Sequence, residues 1–381
     1  MTEKLYESDS HMSEFTATVL SSDKNGGRYE IILDRTAFFP EGGGQCSDNG
    51  VIGDSAVSDV QIFDGVVIHY GNRPLAVGSS VVGKINWELR FHNMQHHTAE
   101  HIVSGTVHKL FGFRNVGFHL EQDVTMDFDG RLTDEDIARV EQIANEAVFK
   151  NVPVTAEYPP PEKLSEIDYR SKLDLKENVR IVTVEGYDKC ACCAPHIAHT
   201  GEIGMIKLLS PEAYKGGTRL YLKCGFNALK DYSLRCDNEA AVGAMLSANK
   251  HSLPDAVRAL LKKCDDEKRM RLSTENGLID MLADLTEVSE GNRVMFAKSM
   301  SADGMRYLGN IMSEKCNGIF GIFSGDDGEY NFVLSSQSGE LKPFFENFRK
   351  SFGAKGGGTD SMMFGSVKAY PDDIKSFFED N

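Results

Sequence analysis

YDKCACCAPHIAHTGEIG, residues 187–204, sets three cysteines and two histidines into one tight loop. Sulfur and imidazole donors are the set that zinc prefers. A matching pair stands upstream, where residues 94–102 read MQHHTAEHI. Residues four apart on a helix share a face, and two pairs meet that spacing, His92 with His96 and His97 with His101. At 3.6 residues per turn the pairs point about 100° or more apart, so one of them serves a given site. Two histidines from the helix, with a cysteine and a histidine from the loop, compose a tetrahedral zinc site. Cys192-x-x-x-His196 lies in the loop beside Cys190, Cys193 and His199 as further donors.

Outward from the loop, VRIVTVEGY (179–187) and TRLYLKCGF (218–226) read as strands, while IARVEQIANEAVFK (137–150) is an amphipathic helix. Residues 89–229 therefore read as a mixed α+β domain. Residues 1–88 alternate apolar and polar in short runs bounded by glycine, the pattern of an antiparallel β domain of small-barrel type. Residues 230–290 read as a polar, charged helical connector. In it Ser252, Pro254 and Asp255 form a helix start, with the serine capping free backbone donors. Residues 291–381 return to α/β alternation and carry the glycine-rich AKGGGTDSMMFGSV (354–367). The fold class is thus α+β, with a barrel-like N-terminal domain and a glycine-rich α/β C-terminal domain.

At 381 residues, 41% hydrophobic and 26% charged, the composition is that of a soluble globular chain of several domains. Apolar runs break before a membrane span is complete, and the polar, acidic start MTEKLYESDS is no signal peptide. The expectation is a cytoplasmic protein with no membrane partner. Eight cysteines in so long a chain read as metal-binding or reactive rather than as a disulfide framework. A net charge of −16 argues against a general nucleic-acid-binding coat. One stretch reverses that balance: residues 205–230 carry Lys207, Lys215, Arg219, Lys223 and Lys230 against Glu212 alone. That reads either as a phosphate-facing surface or as a strand edge guarded by lysines.

Two further motifs bear on chemistry. His97-Thr-Ala-Glu100-His101 matches H-x-x-E-H, the inverted zincin signature with Glu100 as general base, which makes a metallopeptidase a rival reading. Residues 33–50, LDRTAFFPEGGGQCSDNG, place three glycines in a row, either as a flexible turn or as a backbone that approaches a ligand closely.

HxxxH followed by CxxxH and then Thr200-Gly201-Glu202-Ile203-Gly204, together with Thr36-x-Phe-Phe-Pro-Glu-Gly-Gly-Gly-Gln45, resembles the alanyl-tRNA editing family. That family comprises the editing domain of alanyl-tRNA synthetase and free-standing proteins of the AlaX type, of which this length resembles the long form. The resemblance implies Zn2+ held by His97, His101, Cys192 and His196, with His92 and His96 off the site. It implies that Gly42, Gly43, Gly44 and Gln45 line the acyl pocket and that Thr36 and Gln45 meet the amino acid or terminal ribose. Glu100 becomes a base or a group that orients a ligand. Lys215 and Arg219 lie in the K-G-G-T-R that follows the family's zinc motif and would face tRNA. Lys355, Gly356 and Gly357 resemble the C-terminal domain shared with alanyl-tRNA synthetases and DHH-type phosphoesterases, which implies tRNA binding and a homodimer formed through the preceding helices. Relation to a synthetase also brings an expectation of nucleotide and ATP binding, although nothing here resembles the aminoacylation core and no Asp-His-His motif is present. The implied activity is hydrolysis in trans of the aminoacyl ester of tRNA(Ala) mischarged with serine, or with glycine. One departure stands out: Cys193-Ala194-Pro195 replaces the family's G-G-T between the loop ligands. That leaves a non-catalytic tRNA-binding protein with structural zinc as a third reading.

Overall fold

In a computed structural model, residues 1–120, 123–164, 166–171, 178–339 and 341–381 are described. The chain forms an α+β structure of two compact units, Met1–Glu239 and Ala240–Asn381. Among the described residues, no helix is long and apolar enough to cross a membrane.

Six strands of the first unit build its N-terminal part: β1 (Glu14–Asn25), β2 (Arg28–Leu33), β3 (Gly50–Ile52), β4 (Ser55–Phe63), β5 (Val66–Gly71) and β6 (Ser80–Ile85). They close into a barrel in the order β1-β2-β5-β4-β3-β6. Alternation puts one set of side chains inside, where Phe15, Val19, Ile31, Leu33, Val60 and Val67 form the core. The excursion between β2 and β3 carries the glycine loop. Gly42 and Gln45 pair across a two-residue turn, with both N–H···O bonds at 3.0 Å. Its central residues, Gly43 and Gly44, have φ of 64° and 83°, the doubly positive geometry that glycine adopts at least cost. A Cβ on Gly44 would lie 2.9 Å from the Phe118 carbonyl oxygen. The run of glycines is therefore a tight turn laid closely against its neighbour.

Helix α1 (Trp87–Phe111) starts where Asn86 accepts a bond from the Leu89 amide and stops at Gly112 in the left-handed region. Packed beside it are β7 (Asn115–Leu120), β8 (Val124–Phe128) and α2 (Asp134–Lys150), the last capped by a reciprocal Thr133–Asp136 box. Strands β9 (Val154–Glu157), β10 (Ile181–Val184) and β11 (Asp188–Ala191) form a small antiparallel sheet. β12 (Ile206–Tyr214) and β13 (Gly217–Cys224) complete a four-stranded sheet, β12-β13-β8-β7. Met94, Ile102, Val107, Phe118, Val140 and Leu220 share the core between this sheet and the helices.

Arg90 ties the barrel to α1. Fully buried, it donates to the Asp48 carboxylate and to the carbonyls of Ala37 and Ser10, while Asp48 also accepts from the Phe39 amide. Removing one partner of such a buried pair costs about 3–5 kcal/mol, so this contact fixes both flanks of the glycine loop to the start of the helix.

After α3 (Gly225–Leu246), the second unit contains α4 (Leu253–Leu285), β14 (Arg293–Ala297), α5 (Ala302–Lys315), β15 (Phe320–Asp326), β16 (Glu329–Ser335), α6 (Leu341–Phe352), β17 (Lys355–Gly358), β18 (Met362–Lys368) and α7 (Pro371–Asp380). Its sheet runs β14-β15-β16-β18-β17, parallel only at β14-β15. Phe323, Phe332, Phe345, Phe348 and Phe378 fill the core beneath it. The expected Ser252 cap is not made. Ser252 has helical backbone angles, and its hydroxyl donates back to the Asn249 carbonyl instead. The Asn249 side chain has already captured the Ser252 amide in a turn.

Candidate metal centre

From Asn93 to Val107 every residue of α1 is buried, polar ones included. Such a helix must find partners for its polar side chains inside the protein. His97 and His101, one turn apart, meet Cys192 and His196 so that one ligand atom from each lies within 4.8 Å of the others. The Cys192 Sγ is 3.5 Å from His97 Nε2 and 3.4 Å from His196 Nε2. Zinc bonds of about 2.3 Å to sulfur and 2.0–2.1 Å to nitrogen, at tetrahedral angles, require a sulfur–nitrogen edge of about 3.5 Å. These four residues can hold a metal ion. Cys192, rather than Cys190 or Cys193, joins the three imidazoles in that group.

Each histidine turns its second nitrogen outward to a partner, which fixes the ring and leaves Nε2 toward the centre. His97 Nδ1 donates to Gln45 Oε1 at 3.0 Å, and His101 Nδ1 donates to Asp188 Oδ2 at 3.0 Å. His196 Nδ1 bonds the Thr98 hydroxyl at 3.0 Å. Arg170 in turn grips Asp188 through Nε and Nη2 at 2.7 and 2.8 Å. Gly105 allows this approach, since a Cβ there would lie 2.5 Å from the Tyr187 carbonyl oxygen. Burial favours a neutral Asp188, but Arg170 and His101 hold its carboxyl below the usual range. Burial likewise opposes a thiolate at Cys192, and the imidazoles of His97, His196 and His101 gathered around the sulfur overcome it and hold the thiol well below its ordinary value. Burial pushes His196 down to about 3, the neutral form a metal needs.

The loop is shaped by Arg180, whose Nη1 donates to the carbonyls of Cys192 and Ala194 at 3.0 and 2.9 Å. Glu100 is buried beside the ligands. Its Oε1 accepts from Ser104 Oγ and Asn115 Nδ2, while Oε2 lies 3.9 Å from His101 Nε2. Gln45 is also buried, and its Nε2 has no hydrogen-bond partner among the described residues. The glycine loop thus delivers one amide directly to His97 of this cluster.

Other residues singled out from the sequence lie elsewhere. Thr36 is wholly buried, donates to His69 Nε2 at 2.8 Å and accepts from the Phe38 amide at 3.1 Å, so its hydroxyl is occupied within the barrel. His96 donates from Nδ1 to the His92 carbonyl and accepts the Cys224 amide at Nε2, which leaves it no lone pair for a metal. His96 borders a cavity of 280 Å³ that Tyr221, Lys223 and Lys230 also line. The basic stretch is largely neutralised across the fold: Lys207 pairs with Glu141, Lys223 with Asp231, and Arg219 with Asp127 beneath the Tyr214 ring. Lys215 is exposed at the β12–β13 turn. In the second unit Lys355 and Gly356 are exposed on β17, which among the described residues pairs with β18 alone. Sequence reasoning missed Asp188, Arg170, Arg180 and Asn115. Asn93 and Ser104 were also missed, although each lies four or seven residues from a ligand along the same helix face.

Residues 179–221 match the family model described as the threonyl and alanyl tRNA synthetase second additional domain, and residues 6–89 match class II (A) tRNA synthetases. The Alanyl-tRNA editing protein Aarsd1 of Mus musculus is 30% identical over 301 residues, 73% of this chain and 71% of its own length. The chain belongs to the alanyl-tRNA editing proteins. The Alanyl-tRNA editing protein AlaX-L of Pyrococcus horikoshii is 28% identical over 98% of this chain and 96% of its own. By contrast, the match to the Alanine--tRNA ligase of Ignicoccus hospitalis, 31% identical, covers 70% of this chain and only 31% of that enzyme. The chain therefore spans about a third of the ligase it matches. The expected nucleotide and ATP binding gains no support from the geometry or from these relatives.

Proposed function

We propose that this editing protein is a zinc-dependent aminoacyl-tRNA deacylase acting in trans on tRNA(Ala) mischarged with serine or glycine. The observation that carries this reading is the buried, unpartnered Gln45 amide, brought by the glycine loop against the ligand His97. A purely structural metal needs no such donor; a site that receives an aminoacyl group does. His97, His101, Cys192 and His196 would be the ligands. Bound zinc supplies Lewis acidity toward a carbonyl oxygen or a water.

The chain's own groups do the rest. Gln45 Nε2 donates to the aminoacyl moiety. Glu100 Oε2, the carboxylate oxygen not held by Ser104 and Asn115, accepts a proton from water. The hydroxyl of that water adds to the ester carbon, the bond from that carbon to the ribose oxygen breaks, and the ribose oxygen takes the proton held by Glu100, leaving the free amino acid and the free tRNA end. Thr36 acts behind the loop, holding Phe38 and His69 rather than touching substrate. Lys215 and, in the second unit, Lys355 with Gly356 and Gly357 would meet phosphate, whereas Arg219 is engaged with Asp127. A homodimer through α4, where Leu261, Met270 and Leu278 are exposed, and a cytoplasmic location complete the proposal.

The metallopeptidase reading wants a carboxylate as third ligand, and here Cys192 and His196 complete the group. The test is release of serine and glycine from mischarged tRNA(Ala), with alanyl-tRNA(Ala) as control, for wild type beside Cys192→Ala. Release that spares alanine and collapses in the variant is expected. Zinc-loaded protein that binds tRNA but releases nothing above spontaneous hydrolysis overturns the reading in favour of a non-catalytic tRNA-binding protein.

A further inference from the structure

Among the described residues, two buried side-chain atoms lack any hydrogen-bond partner, Gln45 Nε2 and Asn93 Oδ1. Gln45 is 1% exposed and Asn93 wholly buried. Leaving such an atom unpaired in the interior is costly, and native proteins leave few of them. Both residues belong to the junction of the glycine loop with α1. Asn93 lies four residues before His97 on α1 and so shares the face of the ligands. Its Nδ2 reaches the Cys46 Sγ at 3.6 Å, the residue directly after Gln45, and Gln45 Oε1 accepts from His97. The junction of the glycine loop with α1 thus carries two side-chain amides, each with one unsatisfied atom. One has a hydrogen to give, and the other a lone pair to receive one.

A hydroxyl answers both, because it accepts one bond and donates another. An apolar methyl answers neither, and a hydrogen leaves both atoms orphaned. With the Asn93 amide turned over, its orphan becomes Nδ2, and a hydroxyl still satisfies it by accepting. We propose that Asn93 is a specificity-determining residue: its side-chain amide and that of Gln45 together bracket the β-hydroxyl of a seryl ester. This rests on the deacylase reading above and adds to it the residue that separates serine from glycine and alanine. Sites built to hydrogen-bond a substrate hydroxyl discriminate strongly against analogues that lack it, because their own polar groups are then left unpaired.

The experiment compares kcat/KM for seryl-tRNA(Ala) and glycyl-tRNA(Ala) in wild type, Asn93→Ala and Asn93→Asp, with zinc content and melting temperature recorded for each. In Asn93→Ala, seryl hydrolysis is expected to fall roughly ten- to hundredfold, with glycyl hydrolysis changed less than about threefold, within the cost of a small local adjustment. Asn93→Asp keeps an acceptor in the same shape and is expected to keep the preference for serine. If Asn93→Ala does not fold, Asn93→Leu, closer in shape to asparagine, carries the same expectation. An equal fall for both esters would show that Asn93 serves only to hold the helix or a buried water, and overturns the inference. So does a seryl-to-glycyl ratio unchanged from an active wild type. A wild type that releases neither amino acid removes the deacylase reading itself, and this inference with it.

Discussion

His92 and His96 have the same spacing on α1 as His97 and His101, and the same helix buries most of both pairs. Only the second pair meets the cysteine loop. His96 has both nitrogens engaged by backbone, the His92 carbonyl on one side and the Cys224 amide on the other. His97 and His101 each engage one nitrogen, with side chains that leave Nε2 turned inward. His69 in the barrel repeats the closed pattern, between the Ile31 carbonyl and the Thr36 hydroxyl. Spacing selects the face of a helix. The partner of the second nitrogen decides whether a histidine on that face is a ligand or a structural tie.

The widest separation is expected in metal content. His97→Ala removes one of the four clustered donors and, on the proposed function, should abolish stoichiometric zinc and deacylation together. His92→Ala, on the other pair, should retain both. Metal analysis of the two purified variants checks this, and zinc bound equally by both would break the comparison.

His69 sharpens it from the other side. Burial lowers its pKa to about 4, while the unfolded chain takes up that proton near 6.5. Between those values the unfolded state binds more protons, so stability rises with pH across the window and is unaffected by this group above it. The total is about 3 kcal/mol at roughly 1.4 kcal/mol per pH unit. Denaturation midpoints of zinc-loaded wild type and His69→Gln from pH 4 to 7 should show a shallower slope in the variant. Parallel slopes would mean that His69 is not held neutral.

The open pattern depends on outward partners, and Asp188 is the strongest of them. Asp188→Ala should weaken zinc affinity about 10- to 100-fold without removing a ligand. Competition with a chelator measures that loss, and an unchanged affinity would show that Arg170 and Asp188 merely fasten β11 to the helix.

Much of this was legible in the sequence. The two histidines of the helix and the Cys192–His196 loop show themselves by spacing, and the period-two runs before residue 88 announce β structure. What was hidden is contact between distant segments. Asp188 lies 87 positions from His101, and Asp48 lies 42 from Arg90. The lysines and arginine of 205–230 look unopposed when charges are counted along one stretch, yet Glu141 and Asp127 reach Lys207 and Arg219 from elsewhere in the fold, and Asp231, the residue just past the stretch, pairs with Lys223. Thr36 looks free to meet substrate because no motif shows that its hydroxyl turns to His69 and the Phe38 amide.

The smallest effect concerns the second unit, where a local motif misleads. Ser252 followed by Asp255 has the form of a helix cap, and losing a working cap of this kind costs about 1 kcal/mol. Here the serine hydroxyl donates to the Asn249 carbonyl and bonds no amide of α4. Asn249 does the local work, accepting the amides of His251 and Ser252 on its Oδ1. Ser252→Ala should therefore change stability by less than about 0.5 kcal/mol, the range of ordinary surface substitutions, and Asn249→Ala should cost more. Chemical denaturation of the two variants ranks them. A Ser252→Ala loss as large as that of a true cap would mean that the hydroxyl swings to the helix in solution, and that the motif had been read correctly after all.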